Sequence, residues 1–84
     1  MKYKIEIAPL ADYYVIAAKD KNTGKVVDTF TLNESGKDML CLFCQNKDLT
    51  TITKEIAEMY DAPFEQVSKD VANFIEKLQK KDLL

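Results

Sequence analysis

The chain has 84 residues, of which 46% are hydrophobic and 31% charged, and its formal net charge is −2. This length fits one domain, and this composition excludes collagen-like, low-complexity and intrinsically disordered chains. No apolar run approaches the roughly 20 residues that a membrane-spanning helix needs, and the start of the chain lacks the apolar segment of a signal peptide. We therefore expect a cytoplasmic protein with no membrane partner.

Three residue types are absent from the sequence: His, Trp and Arg. Without His, the chain lacks the commonest general base near neutral pH and the usual nitrogen ligand of zinc. Without Arg, it lacks the two-pronged hydrogen-bond donor that reads guanine or grips phosphate. We therefore expect no enzyme activity, no cofactor, no metal site and no nucleic-acid partner.

Three strands are predicted in the first part of the chain, at about 3–9, 13–20 and 26–32. The first alternates apolar and charged residues, which is typical of a half-buried strand. The second is rich in aromatic and β-branched residues, which favour strands. A turn-forming cluster, Asp20–Gly24, follows it, so the second and third strands are predicted to form a hairpin.

Three helices are predicted in the rest of the chain, at about 34–45, 51–60 and 64–81. Asn33 is a good N-cap for the first, and Thr50 or Thr51 is the expected cap of the second. Pro63 suits the first turn of the third. The fold class is therefore α+β, a three-stranded antiparallel sheet followed by three helices, resembling a winged helix-turn-helix.

Apolar residues at helical spacing predict the core-facing side of each helix. The first helix is expected to bury Met39, Leu40, Leu42 and Phe43. The core stripe of the third helix is Phe64, Val67, Val71, Phe74, Ile75 and Leu78, and the second helix carries the apolar and aromatic residues Ile52, Ile56, Ala57, Met59 and Tyr60. In the third strand, alternation places Val26, Phe30 and Leu32 on the core face. Asp28 shares that face, and a bulge near the hairpin would release it.

The third strand is predicted to be an open edge of the sheet. The first strand, the other edge, carries Lys4, Glu6 and Pro9, residue types that discourage pairing with further strands. The third strand contains no Lys and no Pro, and Asp28 is its only charge. Such an edge is either an aggregation hazard or a docking site for an extended peptide, unless a helix or a partner subunit covers it. A homodimer through the third strand is one such alternative.

The order and spacing of short motifs along nearly the whole chain resemble the PqqD family. The residues that carry the resemblance are Leu32-Asn33, Met39-Leu40, Cys44-Gln45-Asn46, Ile52, Glu55-Ile56, Tyr60, Asp70-Val71, Phe74-Ile75, Leu78 and Asp82-Leu83-Leu84. Asn46 and Asp82 stand where the family commonly has Gly. Both residue types tolerate the left-handed backbone conformation best after Gly, so the backbone course is expected to be kept.

The resemblance implies a peptide-recognition element of ribosomally made, post-translationally modified peptides. Such a domain binds the leader of a precursor peptide and presents it to a modifying enzyme, often a radical S-adenosylmethionine (SAM) enzyme. It also implies that the leader pairs with the third strand and rests against the third helix.

Candidate peptide-binding residues follow from this arrangement. On the third strand they are Val27, Asp28, Thr29, Phe30 and Thr31. On the third helix the core stripe leaves Lys69, Ala72, Asn73 and Glu76 at flanking or opposite positions. The small side chains of Ala72 and Asn73 leave room for a peptide, and the ammonium of Lys69 is suited to pair with leader carboxylates. The alternative for Lys69 is a surface lysine that contacts only solvent.

Two further interpretations remain open. Cys41 and Cys44 form a C-x-x-C motif late in the first helix, where the helix dipole does not favour a thiolate, so we expect buried structural thiols. The alternatives are a redox pair or a zinc site shared in a dimer. The alternative function is a winged helix-turn-helix transcription regulator, although positions 33–84 hold seven Lys against ten acidic residues, a poor balance for phosphate binding.

Overall fold

The structure, a computed structural model, describes residues 2–84. In this range three strands precede three helices: β1 Lys4–Leu10, β2 Tyr13–Lys19, β3 Val26–Leu32, α1 Glu34–Cys44, α2 Leu49–Met59 and α3 Phe64–Lys80. The strands form an antiparallel sheet in the order β1-β2-β3. The predicted α+β fold is confirmed, and each predicted element end lies within two residues of the observed one.

The first two helices begin at side chains that accept a backbone hydrogen bond. The side chain of Asn33 accepts from the amide of Gly36 at 2.9 Å, as predicted for an N-cap. The predicted cap of α2 at Thr50 or Thr51 is wrong, because Asp48 caps this helix and accepts from the amide of Thr51 at 2.7 Å. A carboxylate is a strong acceptor at a helix start, so α2 begins at Leu49, two residues before the predicted start.

A bulge interrupts the pairing of β2 with β3 near the hairpin. Ala18 lies opposite Asp28 and Lys19 lies opposite Val26, which leaves Val27 as an extra residue. The predicted core position of Val26 is wrong, since this side chain is 51% exposed at the hairpin end of the strand. The part of β3 beyond the bulge keeps the predicted face: Phe30 and Leu32 are half-buried and pack against the core.

The core lies where the three helices meet one another and the sheet. Its buried apolar residues are Ile16, Ala18, Met39, Leu40, Ile52, Ile56, Val67, Val71, Phe74, Leu78 and Leu83. Leu42, Phe43, Ala57 and Ile75 pack partly buried against it. The predicted core position of Phe64 is wrong, because this residue flanks the break between α2 and α3 and stays exposed, as do Met59 and Tyr60.

Non-glycine residues take left-handed conformations where all three helices end, and Asp61 does so after α2 with φ 49°. Asn46 follows α1 with φ 62°, and Asp82 follows α3 with φ 57°. Both residues therefore take the left-handed conformation that was expected to be tolerated at these positions. After Asp82 the chain turns back, the amide of Leu83 donates to the carbonyl of Leu78 at 3.1 Å, and the Leu83 side chain is buried. Leu83 is thus a core residue that was not among the predicted ones.

The two edges of the sheet differ in their side chains. In β1, Glu6 forms an ion pair with Lys19 at 2.8 Å, and Pro9 lies opposite Tyr14. β3 pairs with β2 on one side, and within residues 2–84 no strand pairs with its other side. No helix in the same range is long and apolar enough to span a membrane.

Candidate functional site

A groove of about 460 Å³ lies between β3 and α3, and the start of α1 contributes to its wall. Residues 30–32 of β3 form its strand side, and the other side of β3 pairs with no strand within residues 2–84. Its lining residues are Phe30, Thr31, Leu32, Asn33, Ser35, Gly36, Met39, Asp70, Asn73, Phe74, Lys77, Leu78 and Lys81.

Apolar side chains from three elements form the floor of the groove. Met39, Phe74 and Leu78 are buried core residues, and Phe30 and Leu32 pack against that core. Because packed interiors yield little, the floor is a fixed apolar surface. It can accept apolar side chains of a ligand while the strand edge offers main-chain hydrogen bonds.

Lys81 marks one end of the groove, beside the start of β3. Its ammonium lies 3.7 Å from Oδ2 of Asp28 and 4.7 Å from the centre of the Phe30 ring. The Asp28 carboxylate is therefore paired with a cation although it shares a face with Phe30. This contact also shows that the end of α3 lies beside the beginning of β3.

Two other charged residues line the groove along α3. Lys77 lies one turn before Lys81, is exposed, and has no carboxylate within ion-pair distance among residues 2–84. Asp70 lies almost two turns earlier, and the side-chain amide of Gln66 donates to its Oδ1 at 3.2 Å. The groove thus has two lysines towards one end and one carboxylate towards the other.

The structure brings some of the predicted peptide-binding residues together and leaves others apart. Phe30, Thr31 and Asn73 line the groove, and Asp28 lies beside it on Lys81. Val27 and Thr29 lie on the exposed part of β3. Lys69, Ala72 and Glu76 do not line the groove.

These three residues of α3 lie on its exposed side, away from β3. Glu76 forms an ion pair with Lys80 at 3.2 Å. Ala72 borders a separate cavity of about 200 Å³ that includes Leu49 and Phe64. Lys69 is exposed. The groove therefore lies on the other flank of the core stripe of α3.

Lys77, Lys81 and Asp70 line the groove although they are not among the predicted site residues. A signal for the lysines was present, because Asn73, Lys77 and Lys81 recur at intervals of four and so share one face of a helix. The groove-lining start of α1, including Asn33, Ser35 and Gly36, has no comparable signal in the sequence pattern. It enters the groove only through the packing of α1 beside β3.

The cysteines differ from the expected pair of buried thiols. Cys41 is half-buried and Cys44 is exposed, so the prediction is wrong for Cys44, which lies in the last turn of α1 at the margin of the core. Partial burial of its thiol, and then the nearby Cys41, raise the pKa of Cys44. A raised pKa disfavours the reactive thiolate. Within residues 2–84 no cluster of three or more His, Cys, Asp or Glu side chains is arranged to hold a metal ion.

A polar cluster of four side chains links β2, α1 and the end of α2. Lys37 forms an ion pair with Asp38 at 2.7 Å, and its ammonium lies 4.8 Å from the centre of the Tyr14 ring. The hydroxyl of Tyr60 donates to the other carboxylate oxygen of Asp38. Burial opposes ionisation of Asp38, but the hydrogen bonds from Lys37 and Tyr60 outweigh it and lower the pKa of this carboxyl.

Comparisons with known proteins agree with this fold. The family described as coenzyme PQQ synthesis protein D (PqqD) matches residues 20–84. A solved structure, TbiB1 in complex with the TbiA(beta) leader peptide, is similar to this chain with a TM-score of 0.73 and 26% sequence identity, covering 100% of this chain and 94% of that one. No curated protein matches the chain. Since the family match includes β3, the groove and all three helices, the chain belongs to the PqqD family.

Proposed function

We propose that this protein is an adaptor that binds the leader of a ribosomally made precursor peptide and presents it to a modifying enzyme. The observation that carries the proposal is the unpaired edge of β3, which opens onto a groove with a fixed apolar floor. Membership of the PqqD family supports it, as does the similarity to TbiB1, whose structure contains a leader peptide.

The leader adds to the sheet as a fourth strand beside β3. Main-chain hydrogen bonds to the edge supply affinity that is independent of sequence, and side chains at alternate positions enter the groove and supply selectivity. Phe30, Leu32 and Phe74 form the apolar contact surface for those side chains. The binding residues in this proposal are the exposed edge of β3 and the groove face of α3.

The modifying enzyme supplies the chemistry, and we propose a radical SAM enzyme in that role. The adaptor contributes by holding the precursor close to the enzyme, which raises the effective concentration of the segment to be modified. In this proposal the chain itself performs no catalytic step and works in the cytoplasm.

An amide chemical-shift map tests the binding site. The ligand is a synthetic leader peptide from a precursor encoded near the gene of this protein. We expect shifts concentrated on residues 27–32 and 70–81. Shifts confined to β1 or α2 would contradict the proposed site, and the absence of any shift with every neighbouring precursor would contradict the proposed function.

A reconstitution assay tests the adaptor role. Precursor, candidate enzyme and adaptor together should give modified peptide at a higher rate than precursor and enzyme alone, and the adaptor with precursor alone should give none. Modified product from the adaptor alone would overturn the non-catalytic role. Binding to a generic DNA duplex that weakens steeply with salt would instead indicate a winged-helix regulator.

A further inference from the structure

We propose that the groove selects leaders in which an acidic side chain lies two residues from an apolar one, and that Lys77 determines this selection. The inference rests on the proposed function and adds the chemical class of the peptide. It follows from the positions of Phe74, Lys77 and Lys81 along the groove and from the charges that remain available there.

The spacing of residues on α3 matches the spacing of alternate residues in a strand. Phe74, Lys77 and Lys81 follow one another at intervals of three and four residues, which corresponds to a rise of about 4.5–6 Å along a helix. Alternate residues of a strand are about 6.6 Å apart and point to the same side. A peptide strand beside β3 therefore faces these three side chains with residues i, i+2 and i+4.

Only one of the two groove lysines is available to a ligand. The ammonium of Lys81 already contacts the Asp28 carboxylate and the face of Phe30. Lys77 has no such partner within residues 2–84. A ligand carboxylate at i+2 would pair with Lys77, while an apolar side chain at i would pack on the floor near Phe74.

The opposite end of the groove does not accept a second acidic residue. Asp70 lines that end, and its only described side-chain partner, the amide of Gln66, is neutral. Like charges placed close together repel each other, so an acidic ligand residue there would weaken binding. The acidic residue of the ligand must therefore lie opposite Lys77. A peptide that also carries an acidic residue opposite Asp70 should bind more weakly.

A displayed library of random peptides of about 12 residues tests the proposal on the full chain. Panning against the wild-type protein should enrich peptides with an acidic residue two positions from an apolar one. The order in which these two residues occur reports the direction of the bound strand relative to β3. One enriched peptide is then synthesised with a fluorescent label for affinity measurements, and its site is mapped by amide shifts.

Charge-reversed variants separate the role of Lys77 from general electrostatics. Lys77→Glu should bind the enriched peptide roughly tenfold more weakly, because an attraction becomes a repulsion. Lys69→Glu makes the same charge change on the exposed side of α3 and should stay within about twofold of wild type. Replacing the acidic residue of the peptide by Lys should restore binding to Lys77→Glu. Lys77→Gln removes the charge without reversing it and is the milder variant. Thermal unfolding of every variant shows whether the fold is kept.

The outcomes distinguish this inference from the proposed function. Peptides that bind at β3 but show no acidic preference would overturn the inference alone, as would equal losses for Lys77→Glu and Lys69→Glu. No enriched peptide at all, or amide shifts away from β3 and α3, would overturn the proposed function as well.

Discussion

Single side chains determine how α1 and α3 end, and Asn46 shows the physical reason. Its amide donates to the carbonyl of Phe43 at 3.0 Å while its backbone takes the left-handed conformation. A side chain with a Cβ is strained there, and Asn and Asp are strained less than other non-glycine residues because their short polar groups bond locally.

Replacing Asn46 tests this account. Asn46→Ala should lower the free energy of unfolding by about 1 kcal/mol, because Ala carries the strain without the local polar group. Asn46→Gly is the matched control and should leave stability equal or higher, since Gly takes this conformation readily. Denaturant unfolding measures both, and an Ala variant as stable as the Gly variant would contradict the account.

The Tyr60–Asp38 hydrogen bond makes a pH-dependent contribution to stability. Because the folded pKa of Asp38 lies below its ordinary value of 3.8, its contribution is present above about pH 4 and is lost as the pH falls through the folded pKa. Burial, and then the hydrogen bond to Asp38, raise the pKa of Tyr60 above its ordinary value of 10.0, so its contribution is complete below pH 10 and is lost at higher pH.

The Tyr60→Phe variant measures this contribution. At pH 7 it should be less stable than wild type by about 0.5–1 kcal/mol, a value that allows for the partial exposure of Tyr60. The difference should shrink as the pH falls below 4, because Asp38 then becomes protonated in both proteins. Unfolding curves recorded from pH 7 to pH 2 provide the comparison; a difference that stays constant with pH would contradict a contribution from the ionised pair.

At the scale of elements, the unpaired edge of β3 predicts an alternating pattern of amide exchange in the free protein. In a strand paired on one side, successive amides point alternately towards the partner and away from it. In β3, therefore, every second amide should exchange slowly and the intervening ones fast. Hydrogen exchange followed by two-dimensional spectra resolves these residues one by one.

The same measurement reports on pairing between two copies. If β3 pairs with a second copy, both sets of amides become protected, and the protection of the outward set rises with protein concentration. Uniform protection at low concentration would show that something covers this edge, and would contradict an open site. β2, which is paired on both sides, is the internal reference with all amides slow.

The sequence pattern predicts the elements well and the rotation of α3 less well. Period-two alternation, strand-favouring residue types, turn clusters and helical spacing are local properties, and together they locate all six elements and the core stripe of α3. That stripe leaves two flanks, and local spacing does not say which flank faces β3. Lys69, Ala72 and Glu76 therefore entered the predicted site, whereas Lys77 and Lys81 line the groove. Only the packing of α3 against α2 and α1, which turns one flank towards the groove beside β3, distinguishes the flanks.

At the scale of the whole molecule, Leu83 closes the core from beyond the last helix. Its side chain is 1% exposed, and its carbonyl accepts from the amide of Lys2 at 3.2 Å, which joins the segment before β1 to the segment after α3. Lys2 and Asp82 add an ion pair at 2.5 Å. The segment before β1 and the segment after α3 therefore hold each other in position.

Truncating this side chain should weaken the entire fold. Leu83→Ala should lower the free energy of unfolding by about 2–4 kcal/mol, the cost of a cavity in a packed core. Leu84→Ala removes the same atoms from a half-buried neighbour and should cost clearly less. Thermal unfolding of both variants gives the comparison. Equal costs would show that the burial of Leu83 adds nothing to the stability of the molecule.

The difference between the two sheet edges limits how this protein can assemble. A sheet that is open on both sides can add strands without end and grow into a fibre. Here β1 presents Pro9 and the charges of Lys4 and Glu6, which disfavour pairing with a further strand on that side. Two copies joined antiparallel through β3 would form one six-stranded sheet with both outer edges protected, a closed symmetric pair. An exposed β3 edge on this protein therefore favours pairing that stops at two copies over pairing that continues into a fibre.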